Sequence, residues 1–117
     1  MTEIEKLLKE YLDYLEVEKN RSPKTRENYE RYLRHFITQS GVATLRDFTL
    51  DKIKDFRLAL ARERTAANEP LKKSTQSYYV IAIRNFLKYL AKQDYAVPSP
   101  EKIELPKLGD RQIEIIE

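Results

Sequence analysis

Apolar residues in this chain recur every three or four positions rather than in alternation, and glycine occurs only at Gly41 and Gly109. That spacing is the period of an α-helix, about 3.6 residues per turn, which gathers such positions on one face. Strands would need a period of two, and the tight hairpins that join them favour glycine. The chain is therefore expected to be all-α, a compact bundle of four helices joined by short loops. Its 117 residues suffice for one buried core without disulfides or a metal.

The helix starts are legible from capping chemistry. Thr2 with Glu5 three residues later forms a capping box, and Ile4, Leu7, Leu8, Tyr11, Leu12 and Leu15 follow on one face, with an end expected near Lys19-Asn20. Ser22 caps a second helix with Pro23 in its first position; Thr25, Tyr29, Leu33, Phe36 and Ile37 form its inner face and Gly41 its left-handed stop. Thr49 caps a third helix whose stripe is Ile53, Phe56 and Leu60, with Leu50 beside it, fading near Arg64. Residues 65–73 have loop composition. Ser74 is expected to cap the fourth helix, with Val80, Ile83, Phe86, Leu87 and Leu90 inward and Ser77, Ile81, Arg84, Asn85 and Lys88 outward or sideways. Residues 1–94 thus form the domain. Residues 95–117, with Pro98, Pro100 and Pro106, read as an extended linker, and the final QIEIIE stops in mid-pattern, as if a longer chain continued.

Several functions lack the residues they need. There is no cysteine for a disulfide or thiolate metal site, and His35 is the single histidine, without a second ligand or nucleophile at a matching spacing. Phosphate-loop, nucleophile-elbow and metal-binding spacings are missing, so no cofactor, metal or catalytic set is expected. No stretch approaches the roughly 18 apolar residues that span a bilayer, and the acidic N-terminus is unlike a signal peptide. The expected setting is cytoplasmic, with no membrane partner.

Charge is segregated. Residues 19–35 hold six bases and two acids (+4) and residues 72–92 five bases and no acid (+5), so with a net charge of +3 the remainder carries −6. Each basic segment opens at an expected helix N-terminus: Arg21, Ser22, Lys24, Thr25, Arg26, Asn28 and Arg31 on the second helix, and Lys72, Lys73, Ser74, Thr75, Gln76 and Tyr78 on the fourth. Helix N-termini offer unpaired N–H donors and partial positive charge to phosphates, and hydroxyl and amide side chains reach base edges. If both leading ends emerge on one side of the bundle, they merge into a duplex-sized cationic surface for double-stranded DNA. Two blander readings stand beside this one, a solvated basic surface and a helical protein-interaction module that docks an acidic partner. A stand-alone helical DNA-binding regulator is a third.

The run Ser22-Pro23-Lys24-Thr25 through Tyr29, Leu33 and Phe36 resembles the S-x-x-T-x-x-x-Y-x-x-x-L-x-x-F helix of the N-terminal, SAM-like core-binding domain of tyrosine recombinases, the phage integrase and Xer group. Ser74-Thr75 with Ile83 to Leu90 resembles that domain's last helix, and Pro98-Ser99-Pro100 through Leu105-Pro106-Lys107 its linker to the catalytic domain. Gln76 departs from the family's usual apolar residue, and Tyr32 stands directly before Leu33 where relatives carry an acid-leucine pair.

The resemblance implies a four-helix SAM-like domain that clamps one face of duplex DNA during integration or recombination. Its second and fourth helices would sit at the major groove, with Lys24, Thr25, Arg26, Lys73, Ser74, Thr75 and Tyr78 touching DNA. It further implies a separate C-terminal domain holding the catalytic Arg, Lys, H-x-x-R and Tyr, and tetramers assembled on DNA. His35 is followed by Phe36-Ile37-Thr38 and cannot supply the H-x-x-R.

Overall fold

The computed structural model describes residues 1–105. Four α-helices follow in order, α1 (Glu3–Val17), α2 (Pro23–Ser40), α3 (Leu50–Arg62) and α4 (Lys73–Lys92), with short 3-10 helices at Leu45–Asp47 and Pro100–Lys102. The one strand-like pairing among the described residues is an isolated bridge between Arg64 and Pro70 in the loop before α4.

The caps form as their chemistry requires. Thr2 Oγ1 accepts from the Glu5 amide at 3.1 Å while Glu5 Oε1 accepts from the Thr2 amide at 2.9 Å. Ser22 Oγ accepts from the Thr25 amide at 3.1 Å, Thr49 caps α3, and Gly41 closes α2 at φ 74°. The loop between α2 and α3 is held to the start of α1: Leu45 donates its amide to Glu3 Oε1 at 2.8 Å, and Ile4 to the Ala43 carbonyl at 3.0 Å.

All six residues of the expected α1 stripe are buried, as are Tyr29, Leu33 and Phe36 of α2, Ile53, Phe56 and Leu60 of α3, and the five inward residues of α4. Aromatic rings occupy the centre. Phe36 meets Phe56 edge-on at 5.1 Å, and Phe86 lies 5.2 Å from Tyr11 and 5.9 Å from Phe48. Each such side chain contributes about 1.5–3 kcal/mol relative to exposure.

Four expectations need correction. α1 stops at Val17, because Asn20 turns left-handed at φ 53° and the Arg21 amide reaches back to the Leu15 carbonyl at 2.9 Å. The third helix ends at Arg62, two residues early, where Glu63 becomes extended. Ser74 does not cap α4. The Lys72 carbonyl already accepts from the Gln76 amide at 3.0 Å, so Lys72 holds the cap position, without a side-chain bond. Finally, Ser77 and Ile81 are buried, because α1, α2, α3 and the C-terminal 3-10 helix all contact α4. A helix covered on several sides buries more than one stripe.

The segment after α4 is mostly irregular, yet it returns to the bundle. Val97 packs against the core, Pro100 and Ile103 are buried, and Arg84 Nε donates to the Pro100 carbonyl at 3.2 Å. Pro106, Lys107, Gly109 and the closing QIEIIE lie outside the described residues.

Candidate nucleic-acid interface

The orientation of α2 against α4 determines what surface their basic residues can build. Asn85 Nδ2 donates to the Tyr29 hydroxyl at 3.1 Å, the Tyr32 ring lies 4.8 Å from that of Tyr79, and His35 lies 5.4 Å from Tyr79. Rising numbers on α2 meet falling numbers on α4, so the helices are antiparallel. The first turn of α2 borders Lys88 and Tyr89, whereas the first turn of α4 borders Arg57 and Leu60 of α3. The two leading ends therefore do not merge. From Pro23 to His35 alone the offset is roughly 18 Å at 1.5 Å per residue.

A lengthwise seam takes the place of that shared end. On α2, Lys24, Asn28 and Tyr32 follow one another a turn apart, and Arg31 lies beside them with its guanidinium 5.0 Å over the Tyr32 ring. Across the seam Tyr78 lies 6.5 Å from Tyr32, with Ser74 and Thr75 one turn before it and partly exposed. Arg31 Nη1 donates to Asn28 Oδ1 at 3.2 Å. No carboxylate lies within ion-pair distance of Arg31 among the described residues. Lys24 is exposed, with Glu27 at 3.7 Å.

The remaining expected contacts fall elsewhere. Thr25 is buried at 4% exposure and its hydroxyl accepts from Ser22 Oγ at 3.1 Å, so it locks the helix start instead of facing solvent. Arg26 turns towards α1, where Nη1 donates to Asp13 Oδ1 and Glu16 Oε1 at 2.9 Å each. The hydrogen bond to Asp13 raises the Arg26 pKa, and the same bond holds Asp13 below its ordinary value. Gln76, the departure from the family pattern, donates from Nε2 to the Leu71 carbonyl at 3.0 Å and so closes the α4 entry turn. Lys73 lines the α3 side, Lys72 is exposed at the helix start, and Arg21 and Ser22 lie at the opposite end of the seam.

Sequence spacing missed one feature, and it pointed to a surface or partly packed His35 without showing its partners. Tyr32 is the aromatic centre of the seam, a role visible only once Tyr78 is known to be opposite. His35 is packed between Phe56 and Tyr79, with Nε2 3.1 Å from Glu63 Oε1. Among the described residues no three His, Cys, Asp or Glu side chains come together as a metal site, and no helix is long and apolar enough to cross a membrane.

Comparison with known proteins agrees with the fold. XerC tyrosine recombinases are similar along most of the chain. That of Actinobacillus succinogenes is 32% identical over 106 residues, covering 87% of this chain and 34% of its own. That of Bacillus subtilis is 29% identical over 112 residues, covering 95% and 36%. The chain thus spans about a third of the length of the curated relatives it matches. No solved structure is a significant match. Residues 8–94 match the family described as phage integrase, N-terminal SAM-like domain, and the chain, with its four helices, belongs to that family.

Proposed function

We propose that this chain is the DNA-binding core-binding domain of a tyrosine site-specific recombinase, applied to one face of duplex DNA through the α2–α4 seam. The observation that carries the reading is Arg31. It is exposed, steadied by Asn28 and the Tyr32 ring, and has no carboxylate partner among the described residues, whereas Arg26 and Arg34 are engaged by acids at 2.9 Å. A fixed guanidinium beside hydroxyls and a lysine suits phosphate and base-edge contacts in a major groove. Family membership supports the same role.

In this reading the helical domain, residues 1–94, contributes grip and no catalytic group. The segment beyond it leads to a catalytic domain of the full-length protein, and the strand-transfer activity and any tetramer belong to that whole.

The test is duplex titration at several salt concentrations. With Lys24 and Arg31 each neutralising a phosphate, log K falls against log salt with a slope of about −2. Alanine at Lys24 and Arg31 together weakens binding while helicity is retained. A slope near zero, unchanged binding by the double variant, or tighter binding to an acidic polypeptide than to DNA would overturn the proposal.

A further inference from the structure

A second cationic site adjoins the Arg21 end of the seam. The end of α1, the first turn of α2 and the second half of α4 enclose a cleft of about 380 Å³, and Lys19, Lys88 and Lys92 line it together with Tyr14, Tyr89 and Asn85. The two tyrosine rings lie 4.8 Å apart, and the Lys92 ammonium sits 6.0 Å over the Tyr14 ring. Among the described residues no carboxylate lines the cleft, and none lies within ion-pair distance of the three lysines. Glu10 and Glu18 are the acids that act on Tyr89 from outside it, helping burial to push its phenol up.

Three lysines lining one cleft give it a positive potential, and the two tyrosine rings give the same cavity an apolar face. A bare anion would use only the lysines, and the space falls in the range of clefts that enclose a small organic ligand. A ligand that uses both halves carries phosphate at one end and a flat aromatic group at the other. Aromatic side chains receive bases by stacking, and lysines receive phosphates by charge-assisted hydrogen bonds.

We infer that this cleft binds a nucleotide, its phosphates on Lys19, Lys88 and Lys92 and its base against Tyr14 and Tyr89. The nucleotide is either free or an unstacked unit of a strand. The inference does not depend on the seam binding a duplex, and either can fail alone.

The test is a heteronuclear NMR titration of the whole chain with three probes: ATP for a free nucleotide, the dinucleotide pdTpdT for a strand, and inorganic pyrophosphate for charge without a base. At least one base-bearing probe is expected to saturate, shifting the Tyr14 and Tyr89 ring signals with the amides of Lys19, Lys88 and Lys92. Preference between ATP and pdTpdT identifies the source. The double variant Lys88→Ala/Lys92→Ala should weaken binding by at least about fivefold, a change of about 1 kcal/mol. Both lysines are exposed, so its signal dispersion should remain that of the parent, and Lys19→Ala gives an independent check. The inference is overturned if neither nucleotide saturates at millimolar concentration, if pyrophosphate binds as tightly as both, or if the variants bind unchanged.

Discussion

Arg26 Nη1 lies 2.9 Å from Asp13 Oδ1, so the most prominent arginine in the first turns of α2 is spent on the acidic face of α1. With Glu16 at the same distance, it forms a three-membered bridge between helices that are already packed together. Part of the positive charge counted along residues 19–35 is thereby cancelled inside the domain.

Replacement of Arg26 by alanine should lower stability by about 1 kcal/mol, because each carboxylate is half exposed and such pairs contribute about 0.2–1 kcal/mol. Its effect on the salt dependence of duplex binding should be negligible. Arg31→Ala should do the reverse, with stability nearly unchanged and the salt slope smaller by about one. Chemical denaturation and binding isotherms on the two variants separate the roles. Equal losses of binding would place Arg26 in the interface after all.

Ser77 is fully buried on α4, and its hydroxyl has no hydrogen-bond partner among the described residues. An unpartnered buried hydroxyl is unfavourable, and alanine is the better helix former. Ser77→Ala should therefore stabilise the domain by up to about 1 kcal/mol, seen as a higher urea midpoint with an unchanged slope. A lower midpoint would mean that the hydroxyl has a partner in solution.

Ile103 is 5% exposed and belongs to the core cluster, eleven residues beyond the last residue of α4. Ile103→Ala should cost about 2 kcal/mol, the low end for a large aliphatic residue at the edge of a core. Truncation after Asp94 should cost more, since Val97, Pro100 and the Arg84 contact go with it. Thermal unfolding of both variants decides this. A truncated chain as stable as the parent would show that the segment merely rests on the surface.

Stability should fall at both extremes of pH. Asp13 is held below its ordinary value of 3.8 by Arg26 and then Lys9, Asp47 by the amides of Ala43 and Thr44, and Glu5 by the amide of Thr2. A depressed carboxylate stabilises the fold above its unfolded pKa, and that contribution is lost as pH falls through the folded value. Unfolding midpoints should be flat near neutrality and drop below about pH 4, with a shallower drop in Arg26→Ala. Tyr11 shows the opposite sign. Burial, then Tyr29 and Tyr14, pushes its phenol above the ordinary 10.0, so its contribution is present below pH 10 and lost above it. Midpoints independent of pH across the acid range would contradict the Asp13–Arg26 bond.

The helices and most of their inner faces could be read directly from the chain. A cap such as Ser22 or Thr49 acts on amides three residues away, and a stripe such as Ile4 to Leu15 is created by the helical repeat alone. Interactions of that range need no knowledge of the partner. The family pattern on α2 is legible for the same reason, being spaced by helical turns. Where the basic residues come together depended on tertiary structure. Lys24 and Lys73 look equivalent along the chain, yet antiparallel packing of α2 on α4 sends their helix starts to opposite ends. Arg26 and Arg31 are both cationic residues of one helix, and only the position of Asp13 and Glu16 on α1 neutralises the first while the second stays available. Long-range geometry sets which charges meet, because Coulomb attraction and burial depend on distance in space, and residues such as Tyr29 and Asn85 become neighbours only when the core closes.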